Sequence, residues 1–135
     1  MDPKTTDSLH DQSDDSLAAF HAANDKWAEQ QYDTAYEHYF TGNWAAAQSH
    51  AKAAVDACPF QPHYRLLLAQ IYCARDRLNL AWSELLILKQ QDPDNAGAKS
   101  LTILLKRKME EGDEKRKATK SGSGFMSALA SLFKG

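Results

Sequence analysis

The stretch PHYRLLLAQIYCARDRLNLAWSELLILKQQDP, residues 62–93, decides the fold, because it lies over residues 28–59 at a constant offset of 34. Ala35 falls on Ala69, His38 on Tyr72, Gly42 on Asp76 and Trp44 on Leu78. Further on, Ala47 falls on Ala81, Ala51 on Leu85, Ala54 on Leu88 and Pro59 on Pro93. Self-similarity at a fixed period marks repeat architectures, in which each copy is one supersecondary unit. Each copy here reads as a helix-period stretch, a turn (TGNW, then RDRL) and a second helical stretch that stops at proline. Proline cannot continue a helix, and the alanines at 35, 47, 69 and 81 let two antiparallel helices approach closely.

The expected fold is therefore all-α, a stack of antiparallel helix pairs. The periodicity predicts helices over 26–40, 44–57, 62–74 and 78–91, with Pro62 suited to a first helical turn. A fifth helix is expected from about Asn95 through Glu111, with Asn95 as its cap and Leu101, Leu104, Leu105 and Met109 on one face. Two repeats are fewer than the roughly three such stacks need. The segment SDDSLAAFHAAN, residues 13–24, is expected to add a separate helix, packing Leu17 and Phe20 onto the first repeat.

Ala69, Tyr72, Ala81, Leu85 and Asp92-Pro93 in the second copy, with Ala35, Gly42, Trp44, Ala47, Ala54 and Pro59 in the first, resemble the tetratricopeptide repeat family. Leu88 is large where the family has a small residue, Asp76 replaces the frequent turn glycine, and His38 fills an aromatic slot. The resemblance covers Ala28 to Asn95, half the chain. It implies a solenoid of about two repeats with a C-terminal capping helix, and a groove lined by the first helix of each pair. Carried onto this chain, that groove is formed by Glu29, Tyr32, Tyr36, Tyr39 and Phe40, then His63, Leu66, Gln70, Cys73 and Ala74. Tyr32, Tyr36 and Tyr39 recur on one helical face, where they either meet a partner or pack under the extra N-terminal helix. Family members that grip acidic chaperone C-termini carry lysine, asparagine and arginine in the groove. Here Tyr32, Tyr36, Leu67, Gly97 and Leu101 stand in those places, so that role is not expected.

The 135 residues carry a net charge of -2, which argues against a dedicated nucleic-acid binder. The average hides a polarity. From Met1 to Asp33 eight acids face two lysines, whereas from Lys99 to Lys120 eight bases face four acids. The N-terminus lacks the apolar core of a signal peptide, and no apolar run approaches a membrane span. The expected location is cytoplasmic, with Cys58 and Cys73 as buried small hydrophobes.

No phosphate-binding glycine loop, metalloprotease motif or nucleophile elbow occurs, so no catalytic residue, cofactor or metal is expected. His38 reads as a core histidine, and Trp27, Trp44 and Trp82 as packing residues. The chain divides into an acidic, disordered 1–12, a helical domain 13–111, a flexible basic linker 112–124 and a docking segment 125–134. In that last segment Phe125, Met126, Leu129, Leu132 and Phe133 share about a third of a helical circumference. The functional expectation is a non-catalytic adaptor that holds an apolar or amphipathic segment of a protein partner. A dedicated chaperone of a secretion or appendage subunit comes second, and a peripheral membrane assembly factor third. The oligomeric state is left open.

Overall fold

The computed structural model describes residues 15–115 in full and, for 3–14 and 116–134, the backbone. Five helices follow one another: α1 (Pro3–Phe40), α2 (Trp44–Ala57), α3 (Pro62–Ala74), α4 (Leu78–Gln91) and α5 (Ala96–Lys134). The described residues contain no strand. Successive helices pack on each other, and α3 also touches both α1 and α5. Three-residue connections after α1 and α3 make each following helix an antiparallel neighbour.

The offset of 34 recurs in the backbone hydrogen bonds. After α1, the N–H groups of Thr41, Gly42 and Asn43 donate to the carbonyls of Glu37 (3.1 Å), Tyr39 (3.3 Å) and His38 (2.9 Å). After α3, Arg75, Asp76 and Arg77 donate to Ile71 (3.0 Å), Cys73 (3.1 Å) and Tyr72 (2.8 Å). Each set is a Schellman cap, which satisfies carbonyls the helix end leaves without partners. The cap needs one left-handed residue: Gly42 has φ 80° and Asp76 φ 61°, the one positive-φ non-glycine residue described. Aspartate tolerates this region better than most side chains. The second helices also end alike, Cys58 donating to Ala54 (3.0 Å) and Asp92 to Leu88 (2.8 Å).

The same register builds the core. Ala35, Ala47, Ala54, Ala69, Ala81 and Leu88 are fully buried, and Ala51 and Leu85 nearly so. The α1–α2 seam is alanine against alanine, Ala28 and Ala35 facing a helix that buries Ala47, Ala51, Ala54 and Val55. The bulkier part of the core is Leu67, Leu68, Ile71, Leu85, Leu88 and Leu105 from α3, α4 and α5. Asn95 caps α5 as expected, its Oδ1 accepting from the Ala98 N–H at 2.9 Å. Gly97 brings α5 close to α3, since a Cβ there would lie 2.5 Å from Leu66 Cδ2.

Sequence and structure part at the front of the chain. No separate N-terminal helix forms; α1 runs unbroken through Asn24 and Asp25. Those residues lie where the sequence divides 13–24 from 26–40, and their side chains serve the far end of α2. Asn24 Nδ2 donates to the Ala57 carbonyl at 3.0 Å, and Asp25 Oδ1 accepts from Cys58 Sγ at 3.3 Å. Leu17 and Phe20 remain 57% and 66% exposed, Phe20 meeting only the neighbouring His21 ring at 5.9 Å among the ring contacts of the described residues. Trp27 and Trp44 are exposed as well, whereas Trp82 packs against the core under Lys89. Cys73 is buried as expected; Cys58 is only half-buried. The fifth helix, expected to stop at Glu111, runs on to Lys134 through the expected linker 112–124, and α1 takes in residues 3–12, expected to be disordered. The side chains of 1–14 and 116–135, with Phe125, Met126, Leu129, Leu132 and Phe133, lie outside the described residues.

Candidate functional site

An aromatic cluster spans α1 and α3. Tyr32 is its hub, with ring centroids 6.0 Å from Tyr36, 5.2 Å from His63 and 5.2 Å from Tyr64. Tyr36 continues it to Phe40 at 4.7 Å, and Tyr39 meets Phe40 at 5.8 Å. The spacing explains the strip: Tyr32, Tyr36 and Phe40 follow at four-residue intervals, so they stack along one row of α1. The cluster is anchored below and open above. Tyr64 is buried, Tyr32 and Tyr39 pack against the core, and Tyr36 and Phe40 are 44% and 69% exposed. A cleft of about 390 Å³ is lined by Tyr32, Asp33, Tyr36 and Glu37.

Because residues 15–23 continue α1, they lie on the same rod as the tyrosines and do not fold over them. Of the residues named for the groove, the structure brings Tyr32, Tyr36, Tyr39 and His63 together with Phe40 and Tyr64. Leu66 sits further along α3 beside Gly97, half-buried like Gln70. Glu29 is exposed one turn before Asp33. Cys73 is not at the surface: it is 3% exposed and belongs to the core. Cys73 follows Leu66 two turns on along nearly the same face of α3, where α5 packs: Gly97 sits against Leu66 and Lys108 reaches the Cys73 carbonyl at 3.5 Å.

His38 differs from expectation too. It is half-buried and stacks on His50, with centroids 5.6 Å apart and planes 10° from parallel. His50 Nδ1 lies 2.8 Å from Gln31 Oε1, so the pair bridges α1 and α2 at the edge of the core.

The site's electrostatics are those of neutral phenols beside carboxylates. Burial pushes the Tyr32 phenol above its ordinary value, and Tyr36 and Asp33 add to the shift. Burial likewise raises Tyr64, reinforced by Cys58, Glu29, Asp25 and Asp33. Below this surface, burial and the hydrogen bond to Asp25 push the Cys58 thiol up, which keeps it protonated and a poor nucleophile.

Sequence reasoning missed the polar clip between α3 and α4. The buried Arg65 donates through Nη1 to Glu84 Oε2 at 2.6 Å and through Nη2 to the Pro59 carbonyl at 3.2 Å. Gln91 Nε2 donates to that same carbonyl at 2.7 Å. Nothing in local sequence marks a pairing across nineteen positions; only the position of Arg65 between core residues Tyr64 and Leu67 could have hinted at it.

Among the described residues no group of histidines, cysteines or carboxylates is arranged to hold a metal ion, and no helix is long and apolar enough to cross a membrane. A scan of protein-family models found no match to the chain, and a search of curated proteins found none either.

Proposed function

We propose that the chain is a non-catalytic protein–protein interaction module, an adaptor of tetratricopeptide-like build. Its groove, formed by the first helix of each pair, holds an apolar or amphipathic segment of a partner. One observation carries the reading: Tyr36 and Phe40 stand open on a strip whose base, Tyr32 and Tyr64, is fixed by the core. Aromatic side chains present large contact area at low entropic cost, and such anchors dominate binding surfaces. A strip of this kind on one helix face suits a partner helix or peptide laid along it. The repeat supports the reading as well, since the doubled Schellman caps set α1 and α3 as equivalent elements.

Site-specific photocrosslinking tests it. A crosslinking amino acid placed at Tyr36 is expected to capture a discrete protein partner in cells. The same group at Lys52, exposed on α2, should not. Equal capture from both positions would contradict the proposal.

A further inference from the structure

The partner's charge can be read from what surrounds the aromatic strip, an inference that rests on the groove reading above. Glu29, Asp33 and Glu37 follow one another at four-residue spacing, in a row next to that of Tyr32, Tyr36 and Phe40. Two of the three line the cleft together with the tyrosines. Like charges at this spacing repel and destabilise a helix, so the row costs the fold something and needs an opposite charge to offset it.

Among the described residues none is supplied. Glu29, Asp33 and Glu37 are exposed and form no ion pair among the described residues. Lys26 is the sole lysine or arginine between residues 15 and 40, and it makes no ion pair with them. On α3, Arg65 is committed to Glu84 and the Pro59 carbonyl, and Arg75, just past the end of α3, to Gln48 Oε1 at 2.5 Å. From α5, Lys108 reaches the Cys73 carbonyl at 3.5 Å. Both arginines are therefore engaged elsewhere, and the acids stay open to solvent beside open aromatic faces.

We infer that the Tyr32–Tyr36–Phe40 strip is a docking site for a cationic amphipathic helix of a partner protein. The partner's apolar side chains lie on the rings and its lysines or arginines lie over Glu29, Asp33 and Glu37. Two effects favour this occupant over an uncharged apolar one. A cation beside exposed tyrosine and phenylalanine gains from the ring faces as well as from the carboxylates. Complementary potential also speeds encounter and rejects acidic segments.

Three synthetic helices of about eighteen residues, five turns long, make the test. All share one leucine and phenylalanine face, and the polar face carries lysine, glutamine or glutamate. Affinity for the full chain is read by fluorescence anisotropy. The lysine probe is expected to bind about tenfold or more tighter than the glutamine probe at low salt, and the glutamate probe weakest. The advantage should vanish at ~1 M salt, where the screening length falls to about 3 Å. The Glu29→Gln, Asp33→Gln, Glu37→Gln triple variant should erase the lysine preference, bringing the lysine probe level with the glutamine probe. The Glu110→Gln, Glu111→Gln, Glu114→Gln variant, with as much charge removed elsewhere, should keep the preference. Equal binding of all three probes, or a preference that survives the groove variant, overturns the inference and leaves the groove reading standing. Binding of no probe overturns both.

Discussion

Gly42 and Asp76 occupy the same left-handed position in the same cap, and they do so at different cost. A non-glycine residue there carries strain of about 1 kcal/mol, somewhat less for aspartate. A Cβ at Gly42 would meet nothing within 4 Å, so Gly42→Ala tests conformation alone. It should destabilise the chain by about 1 kcal/mol, and Asp76→Gly should leave stability level or raise it by up to ~1 kcal/mol, both read by urea unfolding. Two substitutions of the same sign would contradict the equivalence of the caps. The Arg65–Glu84 pair makes the opposite kind of prediction. Its side chains are 9% and 18% exposed, and Arg65 Nε already lacks a partner. Glu84→Ala strands a guanidinium in the core and should cost on the order of 3 kcal/mol. The double change Arg65→Met, Glu84→Leu should recover much of that, because two apolar groups leave no buried charge behind.

Among the elements, α2, α3 and α4 have the bounds the sequence led us to expect, because each is closed by a local signal. Pro62 opens α3 at its first turn, and prolines stand just past the ends of α2 and α4. The start of α1 was not legible. The sequence divides 13–24 from 26–40, whereas Asn24 and Asp25, which hydrogen-bond Ala57 and Cys58 thirty-three positions away, lie in the middle of one helix. Half of the site was legible for a similar reason. The tyrosine row follows from four-residue spacing on a long helix, whereas Cys73 was misplaced because α5, from beyond the repeat, packs on the side of α3 that carries Leu66 and Cys73. The alanine seam gives the element-scale prediction. Ala81 is fully buried where α4 meets α3, so Ala81→Leu should cost ~1–3 kcal/mol by overpacking, with Ala47→Leu behaving alike on the α1–α2 seam. An unchanged melting temperature for both would contradict the shared register.

At the scale of the whole molecule, the core and the candidate groove are joined through the tyrosines, and pH reveals the connection. Tyr32, Tyr64 and Tyr72 all have phenols raised chiefly by burial. A raised folded value means their contribution is complete below the unfolded tyrosine value of about 10 and is lost as pH rises through the folded one. The melting temperature should therefore hold from neutrality to about pH 9 and fall beyond pH 10, with Tyr64→Phe reducing the fall. Tyr36 stands apart, open where Tyr32 and Tyr64 are covered, and the account turns on that difference. The most direct test is Tyr36→Ala, assayed side by side for affinity toward the crosslinked partner and for thermal unfolding by circular dichroism. The account predicts at least about a tenfold loss of affinity, the order expected for an exposed aromatic anchor, with the helical signal and melting temperature nearly unchanged. A variant that unfolds, or one that binds as well as the parent, would contradict it.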